Sequence, residues 1–516
     1  MTTTHAIDAV TLSVLESALA GIAEEMGIVL IRSAYSSNIK ERRDCSAALF
    51  DAAGRMVAQA EHIPTHLGAM PEAVASVMAH DPRPGDVFVL NDPYSGSTHL
   101  PDLTLVSTID VDGEIVGFGV TRAHHAEIGG MRPGSMPSDS REIYQEGLIL
   151  PPTRLVRDGV VDDAILALIC ANVRTPDICR GDLRAQIAAN QVAEVRLRAL
   201  FERHGADLML GVFDAVLDYA ERRARETLAQ LPDGVYEGAS ELEGDGTEDR
   251  DIPIRVRVAI VGDRMVVDFA GTSGAVPGNV NCPLAVTRSA CLFVLRLLLS
   301  ADVPANAGTH RVIDVLAEEG SLVHARRPSA VVAGNVETSQ RVADTVALAL
   351  SAAVDLPACG QGTMNNLIIG GGGWSYYETM GGGQGASVRG DGDSGVHVGM
   401  SNTLNTPAEA LELEYPMRVE RYELTGGRGG CGRHRGGDGL ERTIRLLEPA
   451  SVSILSDRRR HRPAGARGGE AGDCGENLLN GAPLPPKASF EGRAGDLITI
   501  RTPGGGGFGD PAEAAR

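Results

Sequence analysis

The run "NDPYSGSTHLPD" at positions 91–102 constrains this chain more than any other stretch. Pro93 and Pro101 each remove a backbone donor and push the preceding residue toward extended conformations, so no continuous helix passes through it. Apolar runs flank it, "DVFVL" before and "LTLVSTI" after, both reading as short buried strands. A third strand, "EIVGFGVTRA", follows the turn "DVDG". The pattern is strand, irregular loop, strand, turn, strand. His99 and Asp102 therefore fall on a loop beyond a strand end, where scaffolds hold reactive groups.

Around this unit the periodicity is helical. Leu12, Leu15, Leu19, Ile22, Met26 and Val29 recur at three- and four-residue steps, and Met70, Val74 and Val77 share one face of a helix starting near Gly68. A long helical region is expected over about 182–230, ending at "LPDGVYEG", with the acidic "ELEGDGTEDR" as a boundary beyond it. Then "IPIRVRVAIVGDRMVVDFAG" alternates about a Gly262-Asp263 turn, a β-hairpin signature. Helices follow near 285–300 and 339–354, the second with Thr338 or Ser339 as candidate cap. The last third alternates glycine runs such as "TPGGGGFGDP" with strand-like pieces such as "SVSILSD", which reads as close backbone turns between strands. The expected fold is mixed α+β and multi-domain. Residues 1–235 hold N-terminal helices and a metal-bearing β region, 236–360 a central α/β region, and 361–516 a β-rich, glycine-dense C-terminal part.

With 516 residues, 43% of them hydrophobic, the chain can bury several cores. Its net charge of −21 argues against a nucleic-acid partner. Neither Lys40 nor Lys487 sits in a Walker-type loop, so no P-loop nucleotide site is expected. The 8 cysteines form no Cys-x-x-Cys pair, and the start lacks a basic n-region with a long apolar core. The most apolar run, "ACLFVLRLLL", is too short to span a bilayer. A cytoplasmic protein with reduced thiols is expected.

Of the 13 histidines, His62, His66, His80, His99, His124 and His125 crowd into one part of the chain. His99 and the pair His124–His125 lie beyond neighbouring strands, so His99, Asp102 and one of the pair can reach a common point. Adjacent residues on an extended segment face opposite sides, so one of the pair ligates and the other does not. Two imidazoles and a carboxylate suit Zn²⁺, Mn²⁺ or Fe²⁺ with positions left open for water or substrate. Glu41 or Asp44 in "NIKERRDCSAALFD" offers a further carboxylate, although Arg42 and Arg43 beside them also allow plain ion pairing. His62 and His66 share helical spacing, but Pro64 between them favours histidines that orient a loop or line a pocket.

The runs "SSNIKERRDCSAALFD", "AQAEHIPTHLGAMPEAV", "GDVFVLNDPYSGSTHLPDLTLV", "RAHHAEIGGMRPGSMP", "AGNVETSQRVAD", "YYETMGGGQGA" and "SNTLNTPAEALE" occur in this order along essentially the whole chain. In them the chain resembles the hydantoinase B/oxoprolinase family, with Ser97 where the family's run usually has a second glycine. The resemblance implies a metal-carrying subunit of an ATP-dependent hydantoinase or oxoprolinase. It implies a hydantoinase A-like partner that binds ATP and phosphorylates the carbonyl oxygen of a cyclic amide, water then opening the ring. An α2β2 or larger hetero-oligomer follows from it.

The same resemblance places a divalent metal, zinc or manganese, on His99, Asp102 and His124, with Glu41 as fourth ligand. It leaves Asp44, His125 or Glu127 to orient water or protonate the leaving nitrogen. Two rivals remain: a subunit of an acetone- or acetophenone-type ATP-dependent carboxylase, and a non-catalytic subunit that stabilises the ATPase.

Overall fold

Asp8 accepts hydrogen bonds from the backbone N–H groups of Val10 and Thr11, which starts the first helix, α1 (Ala9–Ser33). The computed structural model describes residues 7–66 and 68–513. The leucine stripe of α1 is buried through Leu15, Leu19, Ile22 and Met26. A short helix, α2 (Ser37–Lys40), leads into the strands β1 (Cys45–Asp51) and β2 (Met56–Glu61). After α3 (Met70–Met78) come β3 (Val87–Leu90), β4 (Asp102–Val111), β5 (Glu114–His124), β6 (Thr153–Arg157) and β7 (Val160–Val161). These strands form one antiparallel sheet in the order β2-β1-β5-β4-β3-β6-β7.

Helices α4 (Asp163–Ala171), α5 (Pro176–His204) and α6 (Ala206–Leu228) follow, and Gly205, at φ 82°, breaks the long helical region between the last two. Alternate residues of β1 serve two cores. Ala47 and Leu49 pack with α1 and α5, while Ala48 and Phe50 pack with Met70, Val74 and Val77 of α3. Both faces of the sheet are thus covered, which is why its central strands read as continuous apolar runs.

The hairpin expected about Gly262-Asp263 forms, with Arg264 paired to Val261, inside a four-stranded sheet. Helices Leu284–Leu298 and Ser339–Leu350 share its core. Neither Thr338 nor Ser339 caps the second helix. A π-helical turn, Gly334–Thr338, runs straight into it, and both hydroxyls donate elsewhere, Thr338 to the Val280 carbonyl and Ser339 to that of Asn335. Two further sheets, of four and five strands, lie between residues 366 and 501. Glycine runs between them bring backbone against backbone: Gly505 N–H donates to Gly437 and Gly437 N–H to Gln384, both at 2.9 Å. A Cβ on Gly505 would lie 2.0 Å from the Gln384 carbonyl oxygen, so no side chain fits there. The architecture is mixed α+β with N-terminal helices and several sheets. Among the described residues no helix is long and apolar enough to cross a membrane.

Candidate metal centre

Register builds the centre. The first residue of β4 is Asp102 and the last of β5 is His124, and the two are directly paired across the ladder. The loop entering β4 folds back so that the His99 carbonyl accepts from Asp102 N–H at 3.1 Å. Three side-chain atoms then converge: His99 Nε2 and His124 Nδ1 are 3.2 Å apart, and each is 3.1 Å from Asp102 Oδ1. All three residues are buried.

This triangle fits a cation. Tetrahedral ligands at bonds of about 2.0–2.1 Å lie roughly 3.3–3.4 Å apart, close to the spacing here. His99 Nδ1 faces the Val332 carbonyl at 3.4 Å, a partner that keeps the proton on Nδ1 and the Nε2 lone pair inward. The other carboxylate oxygen, Asp102 Oδ2, accepts from the Thr98 hydroxyl and lies 3.5 Å from His66 Nε2. His66 is oriented in turn by Ser46 Oγ, 2.9 Å from its Nδ1.

The electrostatics agree. Burial works against the charged form of Asp102, but the His99 charge and hydrogen bonds from His124, His66 and His99 hold its carboxyl well below the ordinary range. Burial also disfavours the His99 imidazolium, yet Asp102 beside it outweighs this and raises its pKa. For His124 burial wins, and its pKa is lowered. The Tyr377 ring stacks on His124 at 4.4 Å between centroids. Arg42, fully buried, lies 4.7 Å over that ring and donates to the Tyr377 carbonyl and the Thr379 and Thr403 hydroxyls.

A cavity of about 20 Å³, room for one water or ion, is lined by the three residues together with Asp44, His66, Asn335 and Tyr377. Ser401 lines both this cavity and a neighbouring cleft of about 650 Å³, a size that suits a small-molecule site.

The hydantoinase B/oxoprolinase family model matches residues 8–511. The chain belongs to that family. An uncharacterized protein of Methanocaldococcus jannaschii is 40% identical over 98% of this chain and 92% of its own length. Arabidopsis thaliana 5-oxoprolinase 1 is 39% identical over 97% of this chain, which spans only 42% of that longer protein. The crystal structure of the ATP-dependent caprolactamase from Pseudomonas jessenii superposes with a TM-score of 0.91 at 29% identity, covering 99% of this chain and 92% of that one.

Within this family member the other candidate residues part ways. Glu41 closes α2 in a helical conformation, half-buried, and is not among the residues lining the cavity. Its charge is felt instead by Glu414, whose pKa is raised by burial first and by Glu41 next. Arg43, at φ 55°, then reverses the chain and delivers Asp44 to the cavity, where the Asp44 carbonyl accepts from His124 N–H at 3.0 Å. His125 points to the opposite side of β5, its Nε2 2.9 Å from Gln186 Oε1 on α5. Glu127 is held by Arg174 at 2.8 Å and by the Gly129 and Arg174 backbone N–H groups, away from the cavity. Sequence reasoning placed His66 only as a possible pocket residue and missed Tyr377, Asn335 and Ser401 in the cavity wall. The isolated alternation of "WSYYE" says strand and nothing about a partner imidazole.

Proposed function

We propose that this chain is the metal-carrying subunit of an ATP-dependent hydrolase that opens cyclic amides. The observation that carries the reading is the buried His99–Asp102–His124 triangle opening beside a substrate-sized cleft. Likeness over nearly the full chain to proteins named as a 5-oxoprolinase and a caprolactamase supports it. ATP then belongs to a hydantoinase A-like partner. The 5-oxoprolinase relative is more than twice this chain's span, and no Walker-type lysine loop occurs here. We take the assembly to be a hetero-oligomer of α2β2 form or larger.

His99, Asp102 and His124 would hold the ion, zinc or manganese, and Asp44, in place of Glu41, is the fourth group at the site. When bound, such an ion polarises oxygen and brings the pKa of water toward about 7. The chain's own groups do the rest. Thr98 and His66 fix Asp102 so that Oδ1 faces inward, and Val332 fixes the tautomer of His99. Tyr377 covers His124 and excludes bulk water. Asp44 takes a proton from the attacking water, and the activated amide occupies the cleft that shares Ser401 with the cavity. Glu127 and His125 serve the scaffold through Arg174 and Gln186.

The test is the purified complex with its ATPase partner. Wild type should hold about one divalent ion per chain and open a lactam or hydantoin at the expense of ATP. His99→Ala and His124→Ala should lose metal by elemental analysis and ring opening with it. Full metal in both variants would overturn the site, and ATP turnover that demands bicarbonate would point to a carboxylase instead.

A further inference from the structure

We propose that this site acts on neutral cyclic amides with an apolar ring or substituent and discriminates against lactams that carry a carboxylate. The inference rests on the hydrolase reading above and names its substrate class. The cleft that shares Ser401 with the metal cavity is the space nearest to hand for the far side of a ring whose carbonyl lies at that cavity. One wall of that cleft is apolar, built by Phe293, Leu297, Ala347, Leu348 and Leu356. Leu297 and Leu348 remain 46% and 44% exposed there, surface that an apolar ring would cover.

The charged side chains of the cleft already face opposite charges. Among its described lining residues the charged side chains are Asp344 and Arg467. Asp344 accepts from Arg458 at 2.7 Å, and Arg467 donates to Asp355 at 2.8 Å. His397 offers no cation either, since burial and then the Arg42 charge push its imidazole down to about 3. Arg341 and Arg458, in the adjoining smaller cavity, are balanced by Asp344 and Asp457. A substrate carboxylate would therefore lose its water and meet only guanidinium groups that already face a carboxylate. The chain's net charge of −21 adds long-range repulsion. A neutral ring meets neither cost.

The decisive pair is 2-pyrrolidinone and 5-oxoproline, the same five-membered lactam without and with a carboxylate. The metal-loaded complex with its ATPase partner should show kcat/KM higher by at least about tenfold for 2-pyrrolidinone, read as ring-opened product and as product per ATP consumed. Leu297→Arg and Leu348→Arg alter exposed positions, so the fold tolerates them. Each should narrow that ratio by about tenfold while metal content stays unchanged. Equal or better use of 5-oxoproline by wild type, or a ratio unmoved in both arginine variants, would overturn the proposal. A complex that opens no cyclic amide at all would bring down the hydrolase reading instead.

Discussion

Below the folded pKa of His99, metal binding to this chain should release one proton per ion. The raised pKa of His99 means that, between its ordinary value of 6.5 and its higher folded value, the metal-free protein carries a proton on the imidazole. An ion needs the Nε2 lone pair that this proton occupies. His124 contributes no second proton, because burial lowers its pKa and leaves it neutral at pH 7. Asp102, held well below 3.8, is ionised throughout. Apparent affinity should therefore fall by about tenfold for each unit of pH below the folded value of His99, and level off above it. The same groups act on the metal-free fold. The stabilisation from His99 is full below 6.5 and is lost as pH rises through its folded value; that from Asp102 is present above 3.8 and is lost as pH falls through its own. Titration calorimetry in buffers of different ionisation enthalpy counts the protons directly. Two protons per ion, or an affinity flat between pH 6 and 8, would refute this account of the centre.

Substitutions at three positions test the surroundings. Arg42→Ala strips a buried guanidinium from Asp44, Thr379 and the Tyr377 carbonyl, and should cost about 3–5 kcal/mol in urea unfolding, with Arg42→Lys restoring little because the planar fork is lost. Asp44→Asn should keep the metal and cut kcat by about 10²-fold or more, as for loss of a general base, whereas Glu41→Gln should leave both within about twofold; loss of metal in Glu41→Gln would return that residue to the site.

How much of the centre was legible depended on the range of the contacts involved. Asp102 and His124 lie within two strands joined by a short turn, so alternation and the prolines around His99 were enough to bring three donors together. The opposite orientation of His125 followed from the two-residue period alone. Which of Glu41 and Asp44 lines the cavity did not, because it turns on one left-handed residue, Arg43, and no glycine marks the place. In sequence Arg42 offered only ion pairing with a neighbouring acid, and it does lie 3.9 Å from Asp44, but nothing there marked it as a core residue. It is instead fully buried, because the strand Trp374–Glu378 and the segment bearing Thr403 close over it from more than 330 residues away. The same distance hides the roof of the metal cavity. Tyr377, stacked on His124, donates its hydroxyl to Asn366 at 2.9 Å, and Asn366 also ties to the Glu337 carboxylate on the π-helical turn. Thr338 and Ser339 look like helix caps in sequence, but that turn extends the helix backward and carries Asn335 to the cavity. The donors are thus local and the pocket around them is not, which explains why the His99–Asp102–His124 cluster could be anticipated while the neighbouring cleft could not.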